Sequence, residues 1–256
     1  MKNGCLLLVM ITAGLCSCKK TDSSNGNTVS GTLQTVTVGS SWSYQVSENF
    51  SPSSSQLLSE AALLGYSFPA FDTSYTVNVK AIGADTIING MQYAILQQDS
   101  TVGNNIYSSR EDTNYYGIGI VPDFSITDNL QASTGTLPLL YLKDQPAGTT
   151  WVQSVIGAGS TPGTYDTTVY TLKIIATGLS KAENGNTYSN VIHEQITVLP
   201  GGLSAITSIP GFPTSLDLSI TGDYYFARNV GLIEVDVNSL LYGLSYTEQI
   251  TASSIK

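Results

Sequence analysis

Apolar side chains at every second position constrain this chain more than any other feature. Trp42, Tyr44 and Val46 alternate with Ser43, Gln45 and Ser47. Tyr75, Val77, Val79 and Ala81 alternate with Thr76, Asn78 and Lys80. Near the C-terminus, Leu240, Tyr242, Leu244, Tyr246 and Ile250 alternate with Leu241, Gly243, Ser245, Thr247 and Gln249. Successive side chains of a strand point to opposite faces, so each run presents one apolar and one polar face. Antiparallel strands covered on one side have this pattern, and it predicts an all-β fold.

The runs belong to blocks that recur in the same order. Gly39-Ser40-Ser41-Trp42 matches Gly148-Thr149-Thr150-Trp151. Tyr75-Thr76-Val77-Asn78-Val79 matches Tyr170-Thr171-Leu172-Lys173-Ile174, and Asn89-Gly90 matches Asn184-Gly185. Tyr107-Ser108-Ser109-Arg110 matches Tyr225-Phe226-Ala227-Arg228. The only two Trp and the only two Arg fall at matched positions. This predicts an internal duplication, residues 39–121 and 148–237, with a long period unlike that of a solenoid. Each Asn-Gly predicts a tight hairpin, because both central residues need positive φ.

The two halves differ in their insertions. Ser53 as a cap, Gln56 reaching back and Gly65 as a stop predict one short helix, with Leu57, Leu58, Ala61 and Leu64 on its apolar face. The second half carries instead Leu199–Gly222, apolar yet broken by Pro200, Pro210 and Pro213. Leu203, Ile206, Ile209, Phe212 and Leu216 are too apolar for a plain surface loop. The insert reads as a lid over an apolar ligand or as a fixed plug, and the lid reading makes Leu203, Ile206, Ile209 and Phe212 ligand-binding candidates.

The N-terminus reads as an address. The apolar run Leu6 to Leu15 is shorter than the roughly 20 residues of a membrane span and fits the core of a signal peptide. Leu15-Cys16-Ser17-Cys18 resembles a bacterial lipobox, and Lys19-Lys20-Thr21-Asp22 looks like the start of a mature lipoprotein of the Bacteroidetes type. The expected organisation is a signal peptide at 1–17, lipid attachment at Cys18, a Ser/Gly/Asn/Thr-rich tether at 18–36 and a single β domain at 37–256. Cleavage removes Cys5 and Cys16, and the lipid consumes Cys18, which leaves no disulfide and no Cys metal site. A lipidated Cys18 holds the domain at a membrane without a spanning helix. The expected location is the outer membrane, with the periplasmic and cell-surface faces both open.

Residues 39–42, 148–151 and 224–233 carry a likeness to a broad set of uncharacterised bacterial lipoproteins. The resemblance implies a strongly curved antiparallel sheet, similar to the half-barrel of lipoprotein-carrier and periplasmic lipid-binding proteins. A closed barrel and a two-sheet sandwich are the alternatives. The resemblance implies no catalytic residues.

Composition and motifs narrow the function classes. Ten Lys+Arg against 19 Asp+Glu give a formal charge of −9, the wrong sign for nucleic acid. His193 is the only His, and Thr197 stands where a zinc-protease helix needs its second. Gly159-Ser160-Thr161-Pro162-Gly163 puts Thr161 at the centre of a nucleophile-elbow pattern and Pro162 in its turn. Glu111, Asp112 and Asp123 are candidate glycosidase acids, but adjacent strand carboxylates face opposite ways. No enzyme, metal or cofactor is expected. Arg110 and Arg228 read as anion-binding forks or as structural clamps. Trp42 and Trp151 read as sugar platforms or, more readily, as core anchors. The function expected is binding of an apolar or amphiphilic, lipid-like ligand in the curved sheet. The alternative is a surface module for glycan or protein, built on Tyr115, Tyr116, Tyr224 and Tyr225.

Overall fold

The computed structural model describes residues 36–51, 55, 70–99, 105–120, 122–124, 132–134, 138–158, 165–201 and 217–256. Cys18, the tether apart from Val36, Leu203, Ile206, Ile209, Phe212 and, apart from Ser55, the expected helix from Ser53 to Gly65 lie outside the described residues. Among the described residues there is no helix.

Twelve strands form one antiparallel sheet. The first set is β1 (Ser41–Phe50), β2 (Phe71–Ile88), β3 (Met91–Gln98), β4 (Asn105–Glu111) and β5 (Asn114–Ile118). A separate two-stranded sheet, β6 (Pro122–Phe124) with β7 (Ala132–Thr134), precedes β8 (Leu139–Lys143). The second set is β9 (Thr150–Ala158), β10 (Tyr165–Glu183), β11 (Asn186–Leu199), β12 (Ile220–Ala227), β13 (Gly231–Ser239) and β14 (Leu244–Ser254). Strand order runs β8-β5-β4-β3-β2-β1-β14-β13-β12-β11-β10-β9. The sheet therefore consists of two six-stranded meanders joined where β14 pairs with β1. It curls into a nearly closed barrel with one unsealed seam, between its edges β8 and β9. A single curved sheet takes the place of the sandwich alternative.

The period-two pattern sets which side faces in. Trp42, Tyr44, Val46 and Phe50 of β1 are buried, as are Val77, Val79 and Ala81 of β2 and Tyr246 and Ile250 of β14. Leu240 departs from the expected alternation. It stands in the β13–β14 turn and is 75% exposed, because the strand resumes only at Leu244. Among the described residues eight buried tyrosines, Tyr44, Tyr93, Tyr115, Tyr141, Tyr170, Tyr224, Tyr242 and Tyr246, help fill the interior. Large rings suit a barrel this wide, but a buried phenol needs a hydrogen-bond partner. Tyr242 donates to the Leu218 carbonyl at 2.6 Å and Tyr44 to the Leu232 carbonyl at 3.2 Å.

Side chains close the barrel where ladders stop. At the seam, Trp151 Nε1 donates to the Leu140 carbonyl at 3.0 Å. Gln153 accepts from the Leu140 amide at 2.8 Å and donates to the Pro138 carbonyl at 3.0 Å. The β13–β14 ladder ends at Glu234 and Gln249, while β14 continues along β1 to Ser254. There Trp42 Nε1 takes the Val230 carbonyl at 2.7 Å, and Asn184 Nδ2 takes the Ile250 carbonyl at 2.6 Å. Both tryptophans are core residues whose indole N–H satisfies backbone that no neighbouring strand reaches.

The two Gly-x-x-Trp blocks make like backbone contacts. Gly39 donates to Ala81 O at 3.0 Å, and Ala81 donates back to Ser40 O at 2.9 Å. Gly148 donates to Ile174 O at 2.8 Å, and Ile174 back to Thr149 O at 2.9 Å. Trp42 lies opposite Val79 and Trp151 opposite Leu172. By this register Tyr170 corresponds to Val77, two residues from the Tyr75 of the sequence match. The register breaks beside Gly83 and Gly178 absorb the difference, so the hairpins come back into phase. Asn89-Gly90 (φ 51° and 81°) and Asn184-Gly185 (φ 47° and 80°) both make the turn with positive φ that the sequence demands.

Candidate ligand cavity

The sites singled out in the sequence do not gather in one place. Arg110 Nε donates to the Asp112 carbonyl at 2.8 Å across the β4–β5 turn, with its guanidinium 5.5 Å from the Tyr115 ring centre. Arg228 forks onto the Asp144 carboxylate. His193 Nε2 lies 2.7 Å from Asp223 Oδ1, and its ring stacks on Tyr225 at 4.5 Å. Tyr115 and Tyr224 are buried, whereas Tyr116 and Tyr225 point outward and are half-buried. His193 and Lys181, whose Nζ is 3.8 Å from the ring centre, already occupy the Tyr225 ring. Glu111 and Asp112 are exposed at the β4–β5 turn. The side chain of Asp123 lies outside the described residues.

What the fold does assemble is a cavity of about 130 Å³ inside the barrel. Trp42, Tyr44, Tyr141, Phe226 and Tyr246 supply ring surface, with Val77, Val79, Leu96 and Ile106 between them. Two carboxyls, Glu48 of β1 and Glu248 of β14, stand on the wall. They face inward for the same reason as the rings. Glu48 keeps the beat of Trp42, Tyr44 and Val46, and Glu248 that of Tyr246 and Ile250. The ladder sets Glu248 opposite Val46 and Glu48 opposite Tyr246, so the acids are diagonal neighbours on one face.

Each acid has one tyrosine donor. Tyr75 OH donates to Glu48 Oε1 at 2.9 Å, and Tyr246 OH to Glu248 Oε2 at 2.7 Å. No donor among the described residues reaches the second oxygen of either carboxyl. Tyr75 is 43% exposed and carries this wall out to solvent. Burial pushes Glu248 up to about 6; the Tyr246 bond opposes the rise and the Glu48 charge adds to it. Burial also raises Glu48 above its ordinary range, against the Tyr75 bond. Among the described lining residues there is no Lys, Arg or His.

A third acid lies deeper. Glu194 of β11 is 0% exposed, and neither carboxylate oxygen has a hydrogen-bond partner. Burial alone holds its carboxyl well above the usual carboxylate range. Its charge reaches Tyr141, which lines the cavity, and Tyr224, which also feels Glu248. Sequence reasoning passed over all three glutamates, although each occupies an apolar beat of its strand.

Two inward acids beside aromatic rings give this wall both charge and shape. Among the described residues, no three His, Cys, Asp or Glu side chains gather as a metal site.

No family model matches the chain, and no curated protein matches it significantly. Two solved structures are similar in outline. One is a candidate lipoprotein from Parabacteroides distasonis, 11% identical, with a TM-score of 0.38 over 88% of this chain and 99% of that one. The other is a candidate exported protein with a YmcC-like fold from Bacteroides fragilis, 6% identical, with a TM-score of 0.41 over 88% of this chain and 100% of that one.

Proposed function

We propose that this chain is a lipid-anchored, non-enzymatic envelope protein that binds a small amphiphilic ligand inside its barrel. The lipobox-like Leu15-Cys16-Ser17-Cys18 supports the anchor. The single observation that carries the binding role is the interior cavity, lined by aromatic and aliphatic side chains with two carboxyls on one wall. Its volume, about 130 Å³, bounds the ligand. Drug-sized molecules occupy roughly 300–1,000 Å³, whereas an engineered cavity of about 150 Å³ takes benzene. The cavity thus suits a compact head group or a small free amphiphile rather than a whole lipid.

A thermal-shift screen of small aromatic and amphiphilic compounds tests the role. Binders raise the melting temperature of the wild type, and Val77→Phe, which fills the space, abolishes their effect while the barrel still unfolds cooperatively. Equal shifts in both proteins place binding elsewhere and refute the reading.

A further inference from the structure

Four properties of the cavity bear on what it holds. Its wall carries two acids and, among the described lining residues, no base. Among the described residues, one oxygen of each acid has no donor. The rings of Trp42, Tyr44, Tyr141 and Phe226 line it too, among aliphatic side chains such as Val77, Val79 and Leu96. The fully buried Glu194, neither of whose carboxyl oxygens has a hydrogen-bond partner, lies outside the lining but within electrostatic reach of Tyr141.

An anion is repelled by such a wall, and a neutral apolar ligand leaves the free carboxyl oxygens dry and unpaired. A hard metal ion needs six or so oxygen ligands, which ring faces do not provide. A compact organic cation meets every condition. Its charge offsets the carboxylates, and its alkyl groups lie against ring faces whose quadrupoles attract positive charge.

We propose that the barrel cavity is an organic-ammonium site, with the cationic nitrogen directed to the Glu48–Glu248 wall and its alkyl substituents against Trp42, Tyr44 and Phe226. This rests on the binding role proposed above and names the ligand class of that same cavity. The volume sets the size of the head group, in the range of a trimethylammonium or a protonated alkylamine.

Calorimetric titration of the full chain with choline and with its uncharged isostere, 3,3-dimethyl-1-butanol, tests the proposal. Choline is expected to bind about tenfold more tightly, in line with a desolvated cation–π contact joined to a carboxylate. Glu48→Gln and Glu248→Gln are each expected to lower the choline affinity severalfold and to leave the alcohol unchanged. Both variants remove a buried charge without changing shape, so they fold, and near-UV circular dichroism checks this. Glu111→Gln, at an exposed turn, changes neither titration. Equal affinities for choline and the alcohol overturn the ammonium assignment and leave the binding role standing. Binding of calcium chloride that displaces choline overturns it in favour of a metal. If neither organic compound binds a folded wild type, the assignment and the binding role both fail.

Discussion

The guanidinium of Arg228 grips the carboxylate of Asp144 with two parallel bonds, Nη1 to Oδ2 at 2.9 Å and Nη2 to Oδ1 at 2.8 Å. Asp144 follows β8, one edge of the sheet. Arg228 follows β12, the fourth strand from the other edge. The pair therefore joins the two meanders by a route other than the β1–β14 ladder, and it is partly shielded from water. Arg228→Ala is expected to destabilise the protein by about 1–3 kcal/mol, the range for bonds between charged groups out of full solvent. Arg228→Lys restores little, because an ammonium cannot fork. Arg110→Ala, which loses one bond to a turn carbonyl, costs under about 1 kcal/mol. Urea unfolding of the three variants checks the order.

The seam makes a prediction of its own. The Leu140 amide has the Gln153 side chain as its acceptor, at the edge of β8. In the wild type this amide is expected to exchange slowly with solvent. Gln153→Ala exposes it and speeds its exchange at least tenfold, while amides of the β1–β14 ladder keep their protection. Hydrogen exchange read residue by residue shows whether side chains close this edge.

The two Asn-Gly hairpins are alike in backbone and unlike in side chain. Asn184 reaches the Ile250 carbonyl, whereas among the described residues Asn89 makes no side-chain bond. Replacing Asn by Gly preserves the positive φ of both turns. Asn89→Gly is expected to be nearly neutral and Asn184→Gly to cost about 1 kcal/mol more, the worth of one part-buried hydrogen bond. Paired chemical denaturation curves measure the difference.

The buried acids set a pH dependence opposite to that of most proteins. Glu48, Glu183, Glu194 and Glu248 are all raised, with burial as the first cause. A raised carboxyl favours the folded state below its unfolded value, and that contribution is lost as pH climbs through the folded value. For Glu248, held at about 6 against an ordinary 4.5, ionisation costs the folded state about 2 kcal/mol. The melting temperature is thus expected to rise as pH falls from 7.5 to 5. The gain reverses only below the ordinary aspartate value of 3.8, where Asp99 and Asp217, lowered by hydrogen bonds from Asn78 and Ser219, become protonated. Glu248→Gln flattens the slope between pH 4.5 and 6.

Much of this architecture is written in period two. The inner faces of β1 and β2 and the Asn-Gly hairpins follow from local rules, since alternation and positive φ need no distant partner. Strand order does not. Nothing local says that β14 lies between β1 and β13, or that β8 and β9 remain edges. The offset between Tyr75 and Tyr170 shows the same limit, because bulges shift register without leaving a fixed spacing. Glu48, Glu194 and Glu248 were legible by phase. An acid on an apolar beat has to be carried into the core, and an account based on apolar residues alone skips it.

The N-terminal address has a direct check. Cys18→Ser is expected to move the protein from the membrane to the soluble fraction and to abolish incorporation of labelled palmitate. Cys16→Ser changes neither. Fractionation of cells expressing each variant decides between the two cysteines.

The most direct measurement is native mass spectrometry of the protein released from its own cells. The account predicts a reproducible non-covalent adduct of small mass that is absent from Val77→Phe. A bare protein mass in both, under conditions that preserve known weak complexes, contradicts it and leaves the cavity a packing void.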